Sequence, residues 1–340
     1  MNPPDGTQNE GFSAPFRVSL SADFCSADGS LAFPDIGLSL FDRIPSFAYS
    51  FLSEYLPVYS PAQLANCDVL ISLKPRVTVQ SLEGIDSLCA IGRCGVGYDN
   101  VDLNACTEHG IAVYITPTAV VRPVAESILL LVLALSHRLI NKDRLVRQGR
   151  WAESTQPLGR EPRDRVVGTI GLGNIACEAI RLLRVLDVRS FLAFDPYATE
   201  PRAAELGVKL VSLDELLAQS DYVLVNCPLT PETRGLIGHG QFAIMKLDAV
   251  LINTARGPIV NEAALIDALQ QRKIAGAALD VFEAEPNVPQ ALREMDNVVL
   301  TPHIGSATAQ TRQAMADLAF GNLDAKLNGR PLLSPVPECQ

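Results

Sequence analysis

Three residues in the last third of the chain have the types and order of a proton-transfer site. Arg256 lies in Asn253-Thr254-Ala255-Arg256-Gly257. Glu285 stands near the end of Asp280-Val281-Phe282-Glu283-Ala284-Glu285-Pro286, and His303 lies in Thr301-Pro302-His303-Ile304-Gly305. An imidazole can give a proton to a carbonyl oxygen, and a carboxylate behind it fixes its tautomer and favours its charged form. A guanidinium offers a substrate carboxylate a forked grip that lysine cannot copy. Upstream stands a glycine-rich turn, Gly171-Leu172-Gly173-Asn174-Ile175-Ala176, with Asp195 beyond it. A dinucleotide turn followed by a cation, a carboxylate and an imidazole predicts hydride transfer to the carbonyl of an acid.

The elements that must position these residues follow from apolar patterning. Val166 to Ile170 reads as a strand and Ile175 to Leu186 as a helix, so Gly171 sits between them. The first glycine permits a tight turn. The second, Gly173, lets the backbone approach a pyrophosphate at the positive end of the helix, and Ala176 takes the third glycine's place. Asp195 follows the strand Phe191 to Phe194. A carboxylate there accepts from a ribose 2′-hydroxyl and repels a 2′-phosphate, which predicts NAD over NADP.

Further strands are expected at Asp68 to Ile71, Leu88 to Ile91, Ile111 to Ile115, Tyr222 to Asn226, Val250 to Asn253, Ala277 to Leu279 and Val298 to Leu300. Helices are expected at Asp102 to His109, closed by Gly110, at about Val121 to Gln148, at Leu213 to Ala218, at Glu262 to Gln271 and at Ala309 to Leu327. Strand and helix in alternation, twice over, predict an α/β protein with two doubly wound parallel sheets. The long helix ends in Gly149-Arg150-Trp151, the polar, proline-containing stretch from there to Asp164 reads as an exposed connection, and residues 1–15 read as a flexible tail.

Composition narrows the partners. The chain has 340 residues, 48% hydrophobic and 19% charged, which suits two soluble globular domains. A formal net charge of -10 makes nucleic acid and anionic membrane surfaces poor partners. The longest purely apolar run, Ile128 to Leu135, is too short to span a bilayer and suits a buried helix. The N-terminus has no signal-peptide pattern. None of the 8 cysteines forms a C-x-x-C pair, so reduced, mostly buried thiols in a cytoplasmic protein are expected, with no metal site. His109, His137 and His239 lack any comparable setting and read as structural or exposed.

Taken together, these motifs resemble those of the D-isomer-specific 2-hydroxyacid dehydrogenases, over roughly Cys67 to Pro331. Gly95-Val96-Gly97-Tyr98-Asp99-Asn100-Val101-Asp102 is similar to that family's substrate loop. Val124-Ala125-Glu126 is similar to the start of its long interface helix, and Cys227-Pro228-Leu229-Thr230-Pro231-Glu232-Thr233 and Gly305-Ser306-Ala307-Thr308 match as well. The resemblance implies a Rossmann-like NAD-binding domain at 118–305 inserted into a flavodoxin-like substrate domain made of 16–117 and 306–340. It implies a homodimer through the cofactor domain, near the helix 121–148. It places Arg256, Glu285 and His303 in catalysis, and Lys74, Val96, Gly97 and Arg256 on the substrate. The implied cofactor residues are Gly171, Gly173, Asn174, Ile175, Asp195, Pro196, Cys227, Pro228, Thr233, Thr254, Ala255, Arg256, Asp280, His303 and Gly305. Asp280 would orient the nicotinamide. Ile115 and Asn261 depart from the family pattern, which often has Asn and Asp there, and the stretch 23–51 matches nothing in it.

The substrate is less determined. Lys74 and Arg76 in Ser72-Leu73-Lys74-Pro75-Arg76 stand near basic positions of the phosphoglycerate dehydrogenase branch and could hold a distal anion, or could be a solvated turn. No regulatory domain is expected after Leu327, and Thr301 to Thr308 with Arg312-Gln313-Ala314-Met315 looks more like the glyoxylate and hydroxypyruvate reductase branch. Glu285 and Val96 argue against formate and phosphite dehydrogenases. The alternatives are activity on a phosphorylated substrate, a dinucleotide-sensing corepressor on the same fold, or an alcohol-type dehydrogenase without acid specificity.

Overall fold

The computed structural model describes residues 16–26, 28–31, 38 and 47–336. The expected N-terminal tail, much of the unmatched stretch 23–51 and Cys339 lie outside them. The chain divides into two units, 1–119 with 309–340, and 120–308.

The first unit contains β1 (Phe16–Leu20), β2 (Phe47–Phe51), α1 (Pro61–Leu64), β3 (Val69–Ser72), β4 (Ala90–Arg93), α2 (Leu103–Glu108) and β5 (Ala112–Ile115). The strands form one parallel sheet in the order β2-β1-β3-β4-β5. β1 and β2 have no counterpart among the expected strands. β3 and β4 are buried almost throughout, the pattern of a sheet covered on both faces. Asp102 caps α2 by accepting from the Ala105 amide, and Gly110 then turns the chain at φ +67°. The C-terminal helix brings Ala316, Ala319, Phe320 and Leu323 onto this unit's core beside Leu20 and Ile71.

The second unit opens on α3 (Pro117–Ser136) and α4 (Leu139–Arg147). Then follow β6 (Val166–Ile170), α5 (Asn174–Leu183), β7 (Ser190–Phe194), α6 (Glu200–Glu205), β8 (Val208–Leu210), α7 (Leu213–Gln219), β9 (Tyr222–Val225) and α8 (His239–Ile244). The remaining elements are β10 (Val250–Asn253), α9 (Glu262–Gln270), β11 (Gly276–Leu279), α10 (Gln290–Glu294) and β12 (Val298–Leu300), and α11 (Ala309–Leu327) belongs to the first unit. The seven strands run parallel in the order β12-β11-β10-β9-β6-β7-β8. Alternate residues serve opposite faces: Val223, Val225 and Leu251 join one core, and Tyr222, Leu224 and Ile252 the other. The strand order reverses between β6 and β9, which opens a crevice at their carboxyl ends.

α3 is long and apolar enough, by length and composition, to cross a membrane. Within its unit it is a core helix: Ala125, Ile128, Leu131 and Val132, spaced three and four apart, pack in one cluster with Ile180 and Leu183 of α5. The single helix expected over 121–148 is two helices. The Ser136 carbonyl accepts from the Arg160 amide at 2.7 Å instead of continuing the helical ladder, and Arg138 turns left-handed at φ 51°. Gly159 makes that approach possible, because a Cβ there would lie 2.3 Å from the same carbonyl oxygen.

Candidate active site

In the second unit every residue proposed for chemistry or cofactor contact lies at or just beyond the carboxyl end of a strand. Gly171 follows β6, Asp195 follows β7 and Cys227 follows β9. The Arg256 loop follows β10, Asp280 follows β11 and His303 follows β12. Parallel strands place these loops on one edge of one sheet, so residues far apart in sequence become neighbours.

The glycine turn is built for close approach. Gly171 adopts φ +94°, and a Cβ there would stand 2.9 Å from the Asn226 and Cys227 backbone. Gly173 caps α5 and has open space where a side chain would begin. The first amides of α5, at Asn174 and Ile175, have no helical partner and form a positive end suited to phosphate. The residues therefore fit a dinucleotide. Asp195 accepts from the Leu172 amide through Oδ2 at 2.7 Å and from the Tyr197 amide through Oδ1 at 2.8 Å, which locks the carboxylate beside the turn, next to Pro196. The Thr233 hydroxyl donates to the Pro228 carbonyl at 2.7 Å and shapes the loop after β9. Burial pushes the Cys227 thiol up to about 11, so it stays protonated at neutral pH.

Arg256 is held by its own loop. Buried Asn253 donates to the Arg256 carbonyl and accepts from the Ala255 amide, and the Arg256 guanidinium donates to the Ala255 carbonyl at 2.8 Å. Thr254 lies half-buried between them. At Gly257 a Cβ would come within 2.0 Å of the Phe282 carbonyl carbon. Only glycine lets the Arg256 loop lie against the Phe282–Glu283 backbone, which brings the cation to the carboxylate strand-end.

His303 and Glu285 are paired: Nδ1 lies 3.0 Å from Oε2 of Glu285. The other oxygen, Oε1, accepts from the Phe282 amide at 3.1 Å, which aims the carboxylate. Glu283, the neighbouring acid, instead donates its backbone amide to Glu262. The pair leaves Nε2 of His303 with no protein partner among the described residues. Burial alone would raise the Glu285 pKa. The His303 hydrogen bond and charge, the Phe282 amide and Arg256 outweigh it and hold the carboxyl below the ordinary glutamate value of 4.5. A depressed value means the pair's stabilisation is present above that range and is lost as pH falls through the Glu285 titration. Both side chains are more than a third exposed, so the contribution is under about 1 kcal/mol. The gap in Tm between the wild type and Glu285→Gln is therefore expected to be small at neutral pH and to close as pH falls through the Glu285 titration. A gap that widens on acidification in calorimetry would contradict this pairing.

Asp280 has a part that sequence reasoning missed. Its buried carboxylate accepts from the Thr301 hydroxyl at 2.6 Å and from the Ile304 and Gly305 amides at 2.7 and 2.9 Å. These bonds clamp the loop in which His303 takes a left-handed φ of 56°. The motif strings contain these residues, but nothing in their spacing shows that one carboxylate ties them together. Asn253 was also missed, although Asn two residues before Ala255 is a recognisable Asx-turn signal.

In the first unit, Lys74 and Arg76 are exposed on the loop after β3, and Asn100 ties that loop by donating to the Pro75 carbonyl at 3.1 Å. Val96 and Gly97 follow β4, on a loop held where Thr116 Oγ1 accepts from the Gly95 amide at 2.8 Å. The Val96 and Gly97 amides donate to no protein group among the described residues. The two departures are absorbed locally. Asn261 caps α9 by accepting from the Ala264 amide, as an aspartate would, and the Ile115 backbone pairs with Ser334. His109 bonds the Ala105 carbonyl, and His137 and His239 are exposed.

Residues 129–305 match the model of the D-isomer specific 2-hydroxyacid dehydrogenase NAD binding domain. The chain belongs to the D-isomer-specific 2-hydroxyacid dehydrogenase family. It is an NAD(P)-dependent oxidoreductase of the 2-hydroxyacid class. It is 38% identical over 272 residues to a glyoxylate reductase of Korarchaeum cryptofilum, covering 78% of this chain and 82% of that protein. It is 39% identical over 269 residues to a D-3-phosphoglycerate dehydrogenase of Archaeoglobus fulgidus, covering 79% of this chain but only 51% of that protein. The chain thus spans about half the length of that relative. Among solved structures, the NADPH-dependent glyoxylate/hydroxypyruvate reductase of Sinorhizobium meliloti, in complex with NADP and malonate, superposes with a TM-score of 0.83 at 32% identity, over 96% of this chain and 98% of that one.

Proposed function

We propose that the protein reduces the carbonyl of a small 2-keto acid to a D-2-hydroxy acid with NADH, and catalyses the reverse reaction, with His303 as the proton donor. The observation that carries this reading is the His303–Glu285 pair beside Arg256, on the same sheet edge as the dinucleotide turn. NADH, when bound, supplies the hydride. Arg256 holds the substrate carboxylate through a forked pair of charge-assisted hydrogen bonds. Nε2 of His303 faces the carbonyl oxygen and gives it a proton as negative charge develops. Glu285 keeps the ring oriented and balances its charge.

A small substrate such as glyoxylate or hydroxypyruvate is supported by the reductase relatives. The exposed Lys74 and Arg76 support a phosphorylated 2-keto acid as the second reading. NADH oxidation against glyoxylate, hydroxypyruvate, pyruvate, 2-ketoglutarate, a bulky 2-keto acid and 3-phosphohydroxypyruvate tests both. Turnover of glyoxylate or hydroxypyruvate supports the first reading, turnover confined to the phosphorylated acid replaces it with the second, and no turnover of any acid overturns both.

Asp195 supports NAD over NADP, because a carboxylate locked beside the turn repels a 2′-phosphate. The Asp195→Ala protein is expected to narrow the ratio of kcat/KM for NADH over NADPH by roughly tenfold or more, the size of one unpaired charge contact. An unchanged ratio would assign that discrimination to another residue. Leu130, Leu139, Ile140 and Val146 are exposed apolar residues on α3 and α4 and support a homodimer through these helices. Sedimentation as a monomer would overturn it. Four buried free thiols, Cys67, Cys94, Cys106 and Cys177, support a reducing, cytoplasmic setting.

A further inference from the structure

At the opposite end of the seven-stranded sheet from His303 lies a cavity of about 100 Å³, at the amino ends of β9 to β12 and beneath the break between α3 and α4. That is several times the space one water needs. Its walls are mixed. Ala134, Leu135, Leu158, Val250, Ala275 and Val298 supply hydrocarbon, and the Ser136 and Tyr222 hydroxyls, bonded to each other at 2.7 Å, supply a polar edge.

The charges around it are unequal. Asp221, Asp248 and Asp296 line the cavity, and each already has a cation. Arg160 reaches Asp221 at 3.2 Å and Asp248 at 2.8 Å, Lys246 and Arg165 also reach Asp221, and Arg272 reaches Asp296 at 3.0 Å. Arg138 lines the same cavity and has no carboxylate partner among the described residues. Its Nε is buried without a hydrogen-bond partner, and its backbone is held left-handed by the capture of Ser136 described above. A guanidinium that lines a cavity with no carboxylate beside it offers charge-assisted hydrogen bonds to an anion entering that cavity. The apolar walls select an anion with a short hydrocarbon tail.

We propose that this cavity is a second binding site, taking a small aliphatic carboxylate whose oxygens bond Arg138 and whose tail lies against Ala275 and Val298. It is separate from the catalytic site, because the two lie at opposite ends of the same strands. It therefore offers a place where an acid could act on the protein without competing for Arg256.

The test is saturation-transfer NMR on the methyl protons of butyrate, with butyramide as the neutral control, at fixed ionic strength. Arg256→Gln protein is used, so that the catalytic site does not contribute. Saturable binding of butyrate but not butyramide is expected. Adding Arg138→Gln should weaken it by roughly tenfold, one charge-assisted contact. Ala275→Leu, which fills the cavity without altering charge, should abolish it. NADH affinity that matches the Arg256→Gln parent in each further variant establishes that the unit is folded. The proposal is overturned if the Arg256→Gln protein shows no saturable butyrate signal, if butyramide binds equally, or if binding persists unchanged after either cavity substitution.

Discussion

His303→Ala is expected to lower kcat by roughly 10²- to 10⁴-fold, the usual contribution of a positioned general acid, while the dissociation constant for NADH stays near that of the wild type. The ring sits at the end of a chain of restraints. The Asp280 carboxylate fixes the Ile304 and Gly305 amides, the loop holds His303 at φ 56°, and Glu285 orients Nδ1 at 3.0 Å. Nε2 is then the ring atom left for the substrate. Removing the imidazole leaves the glycine turn and Asp195 untouched, so binding and chemistry should separate cleanly. The check is a pair of measurements: fluorescence titration with NADH, and steady-state reduction of the best substrate from the panel. Wild-type-like turnover would remove His303 from the mechanism. A parallel loss of NADH affinity would instead mean that the loop had collapsed.

Arg256→Ala is expected to lower kcat/KM for 2-keto acids by roughly 10²- to 10⁴-fold, since two charge-assisted hydrogen bonds contribute about 1.5–3 kcal/mol each. Arg256→Lys should recover little of this, because an ammonium cannot present the planar fork. Geometry contributes as well as charge. Asn253 and Gly257 hold the Arg256 backbone against Phe282, so a flexible lysine would keep the backbone position and lose only the fork. Neutral carbonyl compounds give the decisive comparison. An enzyme built for acids should show the loss with 2-keto acids and little change with aldehydes. Equal effects on both would favour an alcohol-type dehydrogenase in which Arg256 is structural.

Much of the site was legible because its chemistry is written in short strings. The glycine turn, Asn-Thr-Ala-Arg-Gly and Thr-Pro-His-Ile-Gly each lie directly after an apolar run, and β6, β10 and β12 run over the expected Val166 to Ile170, Val250 to Asn253 and Val298 to Leu300. Parallel sheets bury strands on both faces, so these runs are continuous and bounded by turn residues. β1 and β2 were not legible, since each is a run of five residues with polar and aromatic members, far in sequence from the strands they join.

The order of chemical groups along the chain, the identity of Arg256, Glu285 and His303, and the dinucleotide turn were determined by sequence alone, because each depends on neighbours within a few residues. The tertiary structure decided what depends on distant ones. It aimed Glu285 at His303, because the Phe282 amide, three residues back, holds one carboxylate oxygen and leaves the other for the ring. It made Asp280 a clamp through bonds spanning 21 to 25 residues. It broke the expected long helix at Arg138, because the Arg160 amide captures a carbonyl that helical propensity would have kept. Backbone groups take whichever partner the packed fold presents, and no local pattern encodes a partner that folding has yet to bring near.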